Sequence, residues 1–267
     1  MLAELFAWMT TPCPAAARRL GYLRESIAIE ARFRRHAERW RPHLEKSKAV
    51  IEEAVSKASR RRRAVVLGSG PLFDIPVEVL ADAFDVVELV DIVHPKRARQ
   101  IAAGFANVEL KTSDVSGAAA ALAALPRNAA TAPPLVAPPT LTPDTDLVVS
   151  ANLLSQLPDI PEIVLKKRSR LPETARKDFA HRIATEHFNW LRGLDALVCL
   201  ITDTERQYVA PDGTPFPAWD SLHGVDLAEY EGMTWHWDIA PAGESHPEYA
   251  VRMQVFGTPD LAGAPNG

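Results

Sequence analysis

Ala64-Val-Val-Leu-Gly-Ser-Gly-Pro-Leu-Phe-Asp74, then a helical stretch, then Val86-Val-Glu-Leu-Val-Asp91 is the stretch whose reading decides the fold. A short apolar run ends in Gly68-Ser69-Gly70, and a second ends in an acid, Asp91, 23 positions after Gly68. The pattern is strand, tight glycine turn, helix, and second strand with a carboxylate at its tip. Glycines let the backbone approach a ligand closely. A helix N-terminus offers unpaired N–H groups. A carboxylate about 20 residues further on can accept two hydrogen bonds from a ribose diol. The stretch therefore predicts a ribose-bearing ligand at the strand ends.

Working outward, strands are expected at 64–67, 86–90, 107–110, 146–150 and 196–202, and helices at about 74–83, 95–103, 115–124, 159–167 and 173–193. Alternation of this kind argues for a parallel sheet with helices on both faces, and the continuous Val/Leu/Ile runs suit strands buried on both sides. After the fifth strand, 204–232 reads as a long Pro/Gly/Asp-rich loop, and two alternating runs, 234–240 and 249–256, read as an antiparallel hairpin. The fold class is α/β: a Rossmann-like, doubly wound, mostly parallel sheet with a C-terminal antiparallel hairpin. Three parts are expected: a helical cap over 1–60, the ligand-binding domain over 61–257, and a disordered tail over 258–267. Within the cap, 14–60 has helical spacing and Pro42 marks a break or a new first turn. Residues 126–143 hold six prolines and read as a flexible surface excursion.

The chain has 267 residues and a net charge of −4, so no global field argues for nucleic acid or a membrane. Charge is uneven: Arg18–Arg63 carries fifteen Lys/Arg against six Glu. A solvated helix face is the favoured reading of that segment, and a phosphate or RNA contact the lesser one. The only cysteines, Cys13 and Cys199, have no paired spacing, and no apolar run approaches the roughly 20 residues that span a bilayer. A reduced, cytoplasmic setting is expected. The eight histidines are scattered without ligand spacing, so no metal site is expected.

Five parallel strands followed by a terminal hairpin is the strand list of class I S-adenosylmethionine (SAM) methyltransferases, and the sequence resembles that superfamily over roughly residues 60–257. Val65-Val-Leu-Gly-Ser-Gly-Pro71 resembles its motif I. Asp91 matches the acid that holds the ribose hydroxyls, Asp114 the acid after the third strand that contacts the adenine amine. Asp146-Leu-Val-Val-Ser-Ala-Asn-Leu-Leu-Ser-Gln-Leu-Pro158 resembles motif IV, which faces the methyl group. The resemblance implies SAM as cofactor, held by Gly68, Ser69, Gly70, Asp91, Asp114 and Asn152, and a methyltransferase acting on a small molecule beneath the cap. The sequence departs from the pattern at Val66, where an acid is common, and at Leu72, the third glycine of Gly-x-Gly-x-Gly. The Gly-Ser-Gly-Pro form also resembles nicotianamine-synthase-like enzymes, which transfer the aminobutyrate group of SAM. That activity, an RNA methyltransferase and a non-catalytic SAM-binding protein are the alternatives. An NAD-binding domain would want a glycine near Phe73 and a sixth parallel strand in place of the hairpin.

Methyl transfer needs proximity, orientation and often a base. Asn152 follows the fourth strand at the edge where ligands bind in open sheets, and is a catalytic as well as a cofactor candidate; Ser155 and Gln156 are candidates for binding substrate. Asp203, directly after the fifth strand, is the preferred base over His181, His187, Tyr208 and His223. His43, with Trp40, could reach over the pocket as a lid. Asp114 could also cap the following helix. Asp74 reads as a helix cap, and Trp235 and Trp237, which share a face, as core.

Overall fold

The computed structural model describes residues 2–262. Helices α1 (Leu2–Thr10), α2 (Ala15–Leu20) and α3 (Tyr22–Lys57) lead into β1 (Arg63–Leu67). There follow α4 (Val77–Ala83), β2 (Val86–Asp91), α5 (Lys96–Ala102), β3 (Val108–Thr112), α6 (Ala119–Ala124) and β4 (Thr145–Ala151). The chain continues through α7 (Asp159–Arg168), α8 (Glu173–Arg192), β5 (Leu197–Val209), β6 (Trp219–Asp220), β7 (Met233–Ala240) and β8 (Ala250–Thr258). The sheet runs β3-β2-β1-β4-β5-β8-β7. β1 to β5 are parallel, and β8 inserts antiparallel between β5 and β7. Strand order reverses between β1 and β4, the place where an open α/β sheet forms a crevice at its carboxyl edge.

The alternation within β1 explains the two-sided burial. Ala64 and Val66 pack into a core with Val50, Ile51, Leu80 and Ala98 of α3, α4 and α5. Val65 and Leu67 pack into a second core with Leu122, Leu165 and Ile183 of α6, α7 and α8. The second half of α3 thus packs into the sheet's own core. Two of the four arginines of the block Arg60–Arg63 are spent on the sheet: Arg62 grips Asp146 (Nη2–Oδ1 2.6 Å), and Arg63 reaches Glu88 (2.6 Å) and Asp144 (3.1 Å).

Four expectations change. The bend in α3 falls at His36 (φ −130°, ψ 24°) and not at Pro42, which lies inside the helix. Pro42 cannot donate to the turn before it and its ring crowds the carbonyl four residues back. His36, upstream of that turn, is held by Glu244 (Nε2–Oε2 3.1 Å). β5 does not stop at 202: its second half pairs along β8 from Asp203↔Val255 to Val209↔Ala250, so part of the expected loop is strand. The expected tail is ordered at its start. Thr258 closes β8, and Leu261 is 2 % exposed with its N–H on the Val198 carbonyl (2.8 Å); residues 263–267 lie outside the described residues. The Pro-rich excursion has no regular element but is tied down, by Val136 N–H to the Gly117 carbonyl (2.9 Å) and Arg170 N–H to the Ala129 carbonyl (2.9 Å).

Candidate functional site

β1 delivers the glycine turn to the crevice. The N–H groups of Gly68 and Ser69 both donate to the Val90 carbonyl (3.0 and 3.2 Å), which ties the turn to the end of β2. Gly68 (φ 72°) and Gly70 (φ 50°) are left-handed, and a Cβ on Gly68 would meet Leu153 at 3.1 Å. Leu72 keeps the same conformation (φ 60°) although it lacks a glycine's freedom, so the backbone of the glycine pattern survives its third side chain. The Asp91 carboxylate accepts the Gly70 N–H (2.8 Å) on Oδ2 and the Val93 N–H (3.1 Å) on Oδ1. Burial raises its pKa, and these two donors and His94 oppose the rise. The Ser69 hydroxyl and both ring nitrogens of His94 are buried without a hydrogen-bond partner.

Asp114 caps the start of α6, accepting the Ser116 N–H (3.0 Å) and hydroxyl (2.6 Å) on Oδ1 and the Ala119 N–H (2.7 Å) on Oδ2. Tyr22, the first residue of α3, is buried near Asp114 and Asp91. Its hydroxyl is buried without a partner. Burial and the nearby Asp114 and Asp91 carboxylates push its pKa up.

Asn152, directly after β4, is left-handed (φ 50°), donates its N–H to the Ile201 carbonyl (2.8 Å) and donates Nδ2–H to Asp74 Oδ2 (2.7 Å). Its Oδ1 has no partner. Asp74 therefore orients Asn152 and does not cap α4, whose cap position is Pro76. His43 lies 3.5 Å from the Asn152 amide. It is no cover over the edge: it is 1 % exposed, stacks on Trp237 at 4.0 Å and accepts the Trp235 indole N–H on Nδ1 (3.1 Å). Burial pushes its pKa down to about 3, so it is neutral, with its proton on Nε2.

Asp203 lies in β5 just past the end of β4. It is 1 % exposed, its Oδ2 is 3.4 Å from the Ser155 hydroxyl and its Oδ1 has no partner. Burial raises its pKa to about 7, with Asp159 adding to the rise and Ser155 and Arg206 opposing it. His223 (φ 53°) donates Nε2–H to the Ser155 carbonyl (3.2 Å) and accepts the His181 Nδ1–H on its own carbonyl (2.7 Å). Gln156 is exposed at the surface. His187 is core, 3.1 Å from the Ser150 hydroxyl, and burial lowers its pKa to about 3. Tyr208 belongs to an aromatic cluster with Trp219, His246 and Tyr249.

The structure thus brings Gly68, Ser69, Gly70, Asp91, Asp114, Asn152, Ser155 and Asp203 to the carboxyl edge. Three of the four left-handed non-glycine residues among the described residues, Leu72, Asn152 and His223, sit there too, and such strain collects at functional sites. Tyr22, His94 and Arg206 are additions that sequence reasoning missed. His94 had a signal, three residues past Asp91; Tyr22 had none beyond its place after Gly21. Among the described residues no group of three His, Cys, Asp or Glu is placed to hold a metal ion, and no helix is long and apolar enough to cross a membrane.

No protein-family model matches the chain, and no curated protein does. Solved structures give remote likenesses. One is a DhpI–SAM–HEP complex, with TM-score 0.38 and 12 % identity over 91 % of this chain and 99 % of that one. A second is the N-methyltransferase NodS from Bradyrhizobium japonicum WM9 with S-adenosyl-L-homocysteine, with TM-score 0.37 and 12 % identity over 81 % of this chain and 87 % of that one. A third is the 1,6-didemethyltoxoflavin-N1-methyltransferase of Burkholderia thailandensis, with TM-score 0.37 and 12 % identity over 92 % of each chain.

Proposed function

We propose that this protein is a SAM-dependent methyltransferase acting on a small-molecule acceptor. One observation carries the reading: buried polar atoms without partners line the carboxyl edge, on Ser69 after β1, His94 after β2, Asn152 after β4 and Asp203 in β5, beneath the Tyr22 hydroxyl. Buried polar groups are almost always paired, and a run of orphans at a crevice marks a place built for something else to bind. The residues suit an adenosyl ligand. Around Gly70 only the turn's own Gly68 carbonyl comes within 4 Å of a Cβ (3.8 Å), the Asp91 oxygens keep lone pairs beyond those given to Gly70 and Val93, and Asp114 would meet the base.

SAM would supply a methyl group activated by its sulfonium. The chain's own residues position and exclude. Asp91 holds the turn and the sugar. Asn152, fixed by Asp74, presents Oδ1 to the reacting end. Ser155 and Asp203 form the acceptor side, with Gln156 at its rim. The first turns of α3 exclude water, so 1–60 serves as a cover as well as a scaffold. We extend the proposal to a cytoplasmic protein, in keeping with two unpaired thiols, Cys13 and the buried Cys199.

Calorimetry with SAM, S-adenosylhomocysteine and NAD tests the cofactor: the adenosyl sulfur ligands should bind and NAD should not. Product analysis tests the group transferred. S-adenosylhomocysteine is the expected by-product, whereas methylthioadenosine would assign aminobutyrate transfer instead. Binding of SAM without turnover across a broad set of acceptors would make the protein a non-catalytic SAM binder.

A further inference from the structure

We propose that the acceptor is an amine, and that a bulge in β5 aims Asp203 to take its proton. The inference rests on the SAM-dependent reading above. Its starting point is the register of β5 against β8, which shifts between Asp203 and Glu205. Asp203 is opposite Val255, and Arg206 is opposite Met253. Val255 and Met253 are two apart on β8, so they share a face, and residues directly opposite share it with them. Three apart in a regular strand, Asp203 and Arg206 would point to opposite faces; the extra residue Thr204 cancels that offset. The bulge puts an acid and a cation on the same side, with Asp203 two positions past Ile201, the last β5 residue paired to β4. Bulges are commonly used in this way to re-aim a side chain beside a site.

Both re-aimed side chains are incomplete. Asp203 Oδ1 and Arg206 Nε are buried and unpartnered, although each side chain lies within electrostatic reach of the other. Ser155 offers Asp203 only a long contact of 3.4 Å, on the other carboxylate oxygen. A fully buried acid with one free oxygen calls for a hydrogen-bond donor. Among acceptors of a methyl group, an ammonium or amine nitrogen offers that donor and also needs to lose it. The charged groups around Asp203 suit a cation. Asp159 at the start of α7 adds a second carboxylate, exposed but enclosed enough for its pKa to rise to about 6. Arg206 offsets one of the two acids. His223 spends its Nε2–H on the Ser155 carbonyl. With both acids ionised this leaves one negative charge for the incoming nitrogen, and with Asp203 near pH 7 in its titration it can both accept a proton and release it.

The step balances as follows. An ammonium group gives one proton to Asp203 Oδ1. The freed lone pair forms the new nitrogen–carbon bond to the methyl group as the sulfur–carbon bond breaks. That bond's electron pair stays on sulfur, leaving S-adenosylhomocysteine, and Asp203 returns its proton to solvent. The product is the N-methylated amine in its protonated form.

The test uses the full chain with SAM and a panel of acceptors: ethanolamine, benzylamine, glycine and putrescine, against phenol, benzoate and a thiol. Thermal stabilisation by each compound without SAM is measured alongside methyl transfer. Amines should stabilise the protein and yield N-methylated products. Asp203→Asn should abolish stabilisation by amines and lower kcat at least 100-fold, while SAM affinity stays within twofold. Ser155→Ala should shift the pH profile of kcat upward in pH with a smaller loss. A product methylated on oxygen or sulfur, no N-methylated product from any amine while SAM binds, or an Asp203→Asn loss below fivefold would each overturn the amine assignment. Failure of SAM to bind the unmodified protein would overturn the cofactor reading, and this inference with it.

Discussion

The Asp91 carboxylate reaches back to the turn in front of it and accepts the Gly70 N–H at 2.8 Å. The acid that the sequence marks for a ribose is therefore first a brace for the glycine turn, and its two tasks are separable by mutation. Asp91→Asn retains an acceptor for one N–H but removes the charge. Charge-assisted hydrogen bonds contribute about 1.5–3 kcal/mol each, so calorimetry should show SAM binding at least tenfold weaker with a modest drop in Tm. Unchanged affinity in this variant would remove Asp91 from the ligand site.

Gly68 has two reasons to be glycine, its positive φ and the Leu153 side chain 3.1 Å from where a Cβ would stand. Gly68→Ala should cost about 1–2 kcal/mol from backbone strain alone, with a further loss from displacing Leu153. Denaturant unfolding should show a lower midpoint with an unchanged slope, and a stability within error of the parent would contradict the geometry.

His43 and His187 are both held neutral by burial, with pKa values near 3 against an ordinary 6.5. Below pH 6.5 the unfolded chain binds protons that the folded chain refuses, so stability falls as pH drops from about 6.5 toward 3. The loss at pH 5 is roughly 2 kcal/mol per histidine. His187→Asn should flatten the fall of Tm between pH 6.5 and 4.5, which a pH series of thermal melts would reveal.

Asp203 acts in the opposite direction. Its pKa near 7 means that the fold holds a proton which the unfolded chain releases above about 4, so this residue's contribution is lost as pH rises from about 4 through 7. Asp203→Asn should therefore raise Tm at pH 8 even as it removes activity, the trade expected where a site holds an unfavourable group. Equal melts of the two proteins at pH 8 would count against a perturbed Asp203.

The Tyr22 hydroxyl is buried beside two acids with no partner. Tyr22→Phe removes an unsatisfied polar group and should stabilise the ligand-free protein by about 1 kcal/mol. If the phenol meets the ligand, the same change should weaken SAM binding several-fold. Both readouts come from one melting series with and without SAM.

Much of this was legible in the chain. The run from Ala64 to Asp91 announces β1, the turn and β2 because each piece is local: apolar residues in short runs, glycines between them, an acid at the end. The order of the remaining elements follows from the same alternation. What could not be read is what depends on partners far apart. Asp74 looks like a helix cap until Asn152, 78 positions later, turns out to hold it. His43 looks free to cover a pocket until Trp235 and Trp237 close over it. The second half of β5 hides in a polar stretch because its regularity comes from β8, and the bulge that puts Asp203 and Arg206 on one face exists only in that register.

The α3 segment, bent at His36, starts beside Asp91 and Asp114 with Tyr22 and ends at Lys57 just before β1, burying Trp40, Val50 and Ile51 on the way. Roof and foundation are thus the same beam. Such an entrance cannot be shed or swapped as a cassette between relatives without uprooting the interior, and any change in what the crevice admits has to be made residue by residue along that one beam.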